Sequence, residues 1–157
     1  VESYEEPYIN ILRNWKGTTY HNTHKDGWLE IIVDMDSATV AERLKEKISY
    51  YRKNYLTTYK FSSVRHEYLI KTIRFFQSHG TVYLVRLPAH SKIFEIEDEL
   101  MPDFDERIFN LTKQLNVDYL NFKLLENNYE YIDGNHLYKT SGKVVSEKIA
   151  GWIAAKN

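Results

Sequence analysis

The sequence contains no cysteine. That removes disulfides, thiolate zinc sites, iron–sulfur clusters and a cysteine nucleophile in one step. Compartment stays open on this ground, because a chain without thiols is stable on either side of a membrane. Only 3 Pro and 6 Gly punctuate 157 residues, and most of them sit where elements should end. Internal repeats, low-complexity tracts and linkers are missing. No run approaches the roughly 18 consecutive apolar residues that a membrane span needs. A basic-then-apolar signal segment is absent too. The chain opens on Val1, so any targeting segment is expected upstream. Nor does one sign of charge dominate: 21 Lys+Arg against 22 Asp+Glu leave a net −1. Nucleic-acid binding demands a basic surplus to neutralise phosphates, so no nucleic-acid partner is expected. Neither Gly-x-Gly-x-x-Gly nor the phosphate-binding Gly-Lys-Ser/Thr occurs, and no cofactor is expected.

What is present describes a globular chain. Hydrophobic residues make up 43% and charged residues 27%, which excludes disorder as the general state. The length suits one domain, and folding would bury roughly two-thirds of the surface of the unfolded chain. The unusual number is 13 Tyr. Tyrosine joins a large apolar body to a polar tip, which suits cores that meet water and also sugar-binding or interface surfaces. Composition leaves both uses open.

Residues 1–27 show no sustained period and read as an irregular N-terminal segment. Trp28 to Asp34 is a short apolar run rich in β-branched residues and predicts a strand. Val40, Leu44, Ile48, Tyr51 and Tyr55 then fall at helical spacing, with Asp36 or Ser37 as cap. Leu69, Ile73 and Phe76 share a face of a second helix over 64–79, which Ser62 or Ser63 starts and Gly80 stops. Thr81 to Leu87 is nearly continuous in apolar residues, as in a strand buried on both faces of a parallel sheet, and Pro88 ends it. The acidic stretch Glu95–Glu99 reads as a solvated face. A helix follows over 102–115, with Pro102 in its first turn and Phe104, Ile108, Leu111 and Leu115 as its stripe. Val117–Phe122 predicts the next strand, 123–138 a loop, and 140–154 a last helix capped by Thr140 or Ser141. This alternation argues for an α/β architecture: a mostly parallel sheet with helices on both faces. In such sheets ligands bind beyond the carboxyl ends of the strands. The loops after Asp34, Leu87 and Phe122 lie at that edge.

Asp133 and His136 stand three apart on the glycine-containing loop Tyr131-Ile-Asp-Gly-Asn-His-Leu137. A turn there can fold the carboxylate against one imidazole nitrogen, fixing the tautomer and leaving the other nitrogen as a general base. The same spacing also suits an Asx-turn with a histidine at the helix cap. Arg86 and His90 flank the Pro88 turn at the same edge and are candidate substrate-binding residues. Arg86 would hold an anionic group or pair with a carboxylate of its own chain. His21, His24 and Asp26 are close in sequence, but no element fixes their geometry, and no metal site is assigned. Tyr50, Tyr51, Tyr55 and Tyr59 read as a packing stripe.

The segment from Thr81 to Trp152 resembles the C-terminal half of an SGNH (GDSL-type) hydrolase. The resemblance rests on a buried strand ending in proline, a helix, and a strand like Val117–Phe122. The block Asp133-Gly134-Asn135-His136-Leu137 and a final helix with Gly142 near its start complete it. It covers about half of the chain. It implies SGNH/flavodoxin-like layers, in a domain that is truncated here if its serine-bearing strand lies upstream, and a triad in which Asp133 and His136 join a serine. The family's Gly-Asp-Ser block does not occur. The nearest text is Asp34-Met-Asp36-Ser37, where Ser37 would sit at a strand-to-helix turn. Two explanations stay open: a serine-bearing strand upstream of Val1, or a member that keeps the fold without the nucleophile. The resemblance thus implies an SGNH-like serine esterase, or O-acyltransferase, acting on a small-molecule or glycan ester such as an O-acetyl group; the compartment stays open, an extracytoplasmic one being favoured over the cytoplasm. The alternative is a non-catalytic glycan- or protein-binding domain on the same fold. An exposed sheet edge makes a homodimer a further candidate.

Overall fold

The computed structural model describes residues 20–23, 25, 29–125 and 128–156. The chain divides into two compact units, Val1–Met35 and Asp36–Asn157. In the first, strand β1 (Tyr20–Thr23) pairs antiparallel with β2 (Leu29–Ile32), Tyr20 opposite Ile32 and Thr23 opposite Leu29. A strand was expected at β2, but as part of the parallel sheet, and the segment before it was expected to be irregular. The short connection explains the difference: a parallel pairing needs a crossover of a dozen or more residues, and these strands follow each other too closely. His24 and Asp26 lie outside the described residues, as does the side chain of His21.

The second unit opens with helix α1 (Ser37–Tyr50). Asp36, not Ser37, caps it. Its Oδ1 accepts from the backbone amides of Ala38 and Thr39 at 3.0 Å each, which satisfies two donors that the helix leaves unpaired. Tyr51–Tyr55 continues in π-helical register and Leu56–Thr58 adds a last α-turn. Helix α2 (Ser63–Gln77) begins after Ser62, whose hydroxyl accepts from the Arg65 amide. Strand β3 (Tyr83–Arg86) follows.

Next come two helices where the sequence predicted one. Helix α3 (Ser91–Leu100) occupies the acidic stretch and buries Ile93, Phe94 and Ile96. Helix α4 (Phe104–Leu115) carries Asp105 and Glu106 in its first turn, where negative charge meets the positive end of the helix dipole. Pro102 lies just before it, and Asn116 ends it in the left-handed conformation, φ 52°. Strand β4 (Asp118–Asn121) pairs parallel with β3 in the register Tyr83↔Asp118 to Arg86↔Asn121. After a 3₁₀ turn at Phe122–Leu124, the chain reaches helix α5 (Lys139–Ala154). Neither predicted hydroxyl caps α5. Tyr138 stands at the N-cap without a side-chain bond. Ser141 instead accepts from the Glu130 amide at 2.8 Å, and Thr140 donates to the Glu130 carboxylate.

The unit is therefore mixed helix and strand around a two-stranded parallel sheet. One apolar cluster joins Ile73 of α2 to Leu111 and Leu115 of α4 and to Val117, with Leu84 of β3 packed against it. On β3 the preceding residue, Tyr83, meets Trp152 of α5 edge-on at 5.5 Å. Successive strand residues point to opposite faces, so β3 buries one side against α2 and α4 and turns the other to α5. A second cluster, Ala89, Ile93 and Phe94, seats α3 against Ile48 and Tyr51 at the end of α1. That cluster positions the candidate site.

Candidate functional site

Asp133 and His136 are in contact. His136 Nδ1 lies 3.1 Å from Asp133 Oδ1 and 3.0 Å from Oδ2. The carboxylate–imidazole contact and the Asx-turn foreseen in the sequence occur together, without the histidine helix cap that the second reading included. The carboxylate accepts from the amides of Asn135 and His136 at 3.0 and 2.9 Å, an Asx-turn, while also meeting the ring. The imidazole plays no part in capping α5. A backbone bond from Ile132 N–H to His136 O and another from Tyr138 N–H to Glu130 O close the loop into a small antiparallel bridge, Tyr131 to Leu137.

Gly134 makes this turn possible. Its φ is +88°, which L side chains rarely adopt, and an added Cβ would come within 2.4 Å of Leu44 Cδ1 on α1. Its carbonyl accepts from the His90 amide at 2.8 Å. The loop is thereby anchored to the N-terminus of α3 on one side and packed on α1 on the other. A further tie comes from Lys47 of α1, whose Nζ lies 2.8 Å from Asp133 Oδ2. No sequence pattern announced this partner, since Lys47 and Asp133 belong to distant segments.

The electrostatics follow from these contacts. Partial burial of Asp133 works against its charge. The Lys47 ammonium, the His136 amide and ring, and the Asn135 amide outweigh it and hold the carboxyl well below the usual carboxylate range. An ionised Asp133 accepts hydrogen bonds and cannot donate, so the contact with a neutral ring requires the proton on Nδ1. The lone pair is then on Nε2. The His136 side chain is 64% exposed, and with Asn135 it lines the rim of a cavity of about 810 Å³. The cavity wall is mostly apolar: Leu84, Leu87, Phe94, Met101 and Phe104 contribute. It reaches the carboxyl end of β3, the edge where α/β sheets hold their ligands.

Arg86 lies in the same wall, and its side chain is 9% exposed. Its terminal nitrogens meet Glu97 and Asp105 at 2.8 and 2.7 Å, and its guanidinium lies over the rings of Phe94 and Phe104, 5.1 and 4.4 Å from their centroids. Burial opposes its charge, but the two carboxylates hold its proton affinity above the ordinary value. Of the two uses open to Arg86, the structure places it in a pairing with carboxylates of its own chain. His90 caps α3, its Nδ1 accepting from the Lys92 amide at 3.2 Å. Burial and the nearby Lys92 lower its affinity for a proton. Ser37 is exposed in the first turn of α1. Among the described residues, no serine hydroxyl hydrogen-bonds the His136 ring; its partner is Asp133. No three His, Asp or Glu side chains among the described residues come together as metal ligands, and no helix among them is long and apolar enough to cross a membrane.

Tyr51 and Tyr55 stack at 4.2 Å where α1 passes into its π turn. Burial, with Tyr55 and Asp133 adding to it, pushes the Tyr51 hydroxyl up to about 12. These tyrosines pack; Tyr51 closes the apolar cluster beneath the loop. No protein-family model, no curated protein and no solved structure matches the chain.

Proposed function

We propose that Asp133 and His136 are the orienting acid and the general base of an ester-hydrolysing or acyl-transferring site of SGNH type. One observation supports this most: a carboxylate holds Nδ1 of an imidazole whose other nitrogen stays accessible beside an apolar cavity at the end of a parallel strand. In this reading a serine hydroxyl gives its proton to His136 Nε2 as its oxygen attacks the acyl carbonyl. The alcohol then leaves with that proton, and water repeats the sequence to release the acid. Asp133 fixes the tautomer and stabilises the transient imidazolium. The serine comes from outside the groups that touch His136 here. The SGNH/flavodoxin layering belongs to the same proposal, as an extension of the two parallel strands described above.

A second reading is a binding domain on the same fold. It is favoured by the lack of a serine hydroxyl at the His136 ring among the described residues. A fluorophosphonate probe followed by peptide mass spectrometry separates the two. The catalytic reading expects a labelled serine, in this chain or in one extended upstream of Val1, and ester hydrolysis that falls on the order of a thousandfold or more in His136→Ala. No label in either chain, or full hydrolysis in the variant, contradicts it and leaves the binding reading.

A further inference from the structure

We infer that Lys47 is a positioning residue of this site: from α1 it shares the charge of Asp133 and so keeps the His136 ring neutral and ready to accept a proton. Its purpose rests on the catalytic reading above, but its test does not need turnover.

The geometry carries the argument. Asp133 Oδ1 accepts from the two loop amides, at 3.0 and 2.9 Å, and also lies 3.1 Å from His136 Nδ1. Its Oδ2 is shared by Lys47 Nζ at 2.8 Å and His136 Nδ1 at 3.0 Å. A carboxylate that met the imidazole alone would favour the imidazolium, and an imidazolium cannot take a proton. A cation on the same carboxylate offsets that pull without removing the hydrogen bond that fixes the tautomer. Lys47 is held for this position. Its side chain is 25% exposed, against 76% for Lys45 on the same helix, and its ammonium also lies over the Tyr51 ring.

The other groups facing the pair do not take this role. From the π turn after α1, Tyr51 is a neutral hydroxyl. From β3, Arg86 is matched by Glu97 of α3 and Asp105 of α4. His90 contributes its backbone amide to Gly134, while its ring nitrogen accepts from Lys92. Among the described residues, Lys47 is the lysine that meets Asp133 directly.

The test is the charge state of the His136 ring, read from its imidazole ¹H–¹⁵N signals in the full chain at a fixed pH within its titration. In Lys47→Met the ratio of charged to neutral ring should rise about three- to tenfold. Lys47→Arg, which restores the cation, should bring it back to within about twofold of the parent. Lys47→Gln keeps a donor without the charge and should behave as Lys47→Met, which guards against a variant that fails to fold. An unchanged ratio in a folded Met or Gln variant overturns the inference. A raised ratio alongside full hydrolysis in His136→Ala would sink the esterase reading and leave the coupling standing. An unchanged ratio alongside lost hydrolysis would do the reverse.

Discussion

Two histidines near this loop serve opposite needs. His136 keeps its side chain largely exposed beside the cavity, whereas His90 uses its Nδ1 lone pair to cap α3. A protonated His90 has no lone pair there, so protonation removes the cap. Burial and Lys92 already lower its proton affinity in the folded chain. The unfolded chain therefore binds the proton more readily. The stabilisation is fully present above the ordinary histidine value of 6.5 and is lost progressively as pH falls below it. His90→Asn, which caps without titrating, should flatten that part of the stability curve in urea melts read between pH 8 and pH 5. An equally steep decline in the variant would contradict this account. Residues differ sharply in how legible they were. Asp133 and His136 are neighbours in sequence, so their spacing alone put them within reach. Lys47 sits 86 positions before Asp133, and only the packing of α1 against the loop brings them together. Arg86 was placed at the end of β3 by its position after the apolar run, but its pairing with Glu97 and Asp105 joins separate segments that spacing does not bring together.

The loop between β4 and α5 is the element on which the site depends, and Gly134 sets its shape. Gly134→Ala would add strain at φ +88° and push a methyl group into Leu44. The expected cost is about 1–3 kcal/mol of stability, with the His136 signals displaced as the turn shifts off α1. A variant as stable as the parent with unmoved signals would show that the turn is not held in this way. Most helices were readable because their apolar stripes bury real faces, as Ile73 in α2 and Leu111 and Leu115 in α4 do. Helix α3 is hard to read in the sequence because its acidic residues interrupt the i, i+3, i+7 series Ile93, Ile96 and Leu100, and because histidine is an uncommon N-cap. Periodicity also found β2 but could not name its partner, since strand pattern fixes a face and not a neighbour.

The whole molecule comprises an N-terminal unit with an antiparallel strand pair and a larger unit around two parallel strands. The larger unit places its apolar cavity, its ionic contacts and its histidine at one end of β3. The Arg86 pairings tie α3 and α4 to that strand end. Lys123 adds a further link, to Asp98 and Asp105. These contacts give the cavity a wall joined across three elements, against which a single imidazole stays open to solvent. The catalytic proposal thus depends less on the size of the sheet than on which nitrogen of that imidazole is free. Long-range ¹H–¹⁵N correlation of the neutral His136 ring in the intact chain reads this directly. The proton is expected on Nδ1, bound to Asp133, with Nε2 bare; a proton found on Nε2 would leave the site without a base and contradict the account.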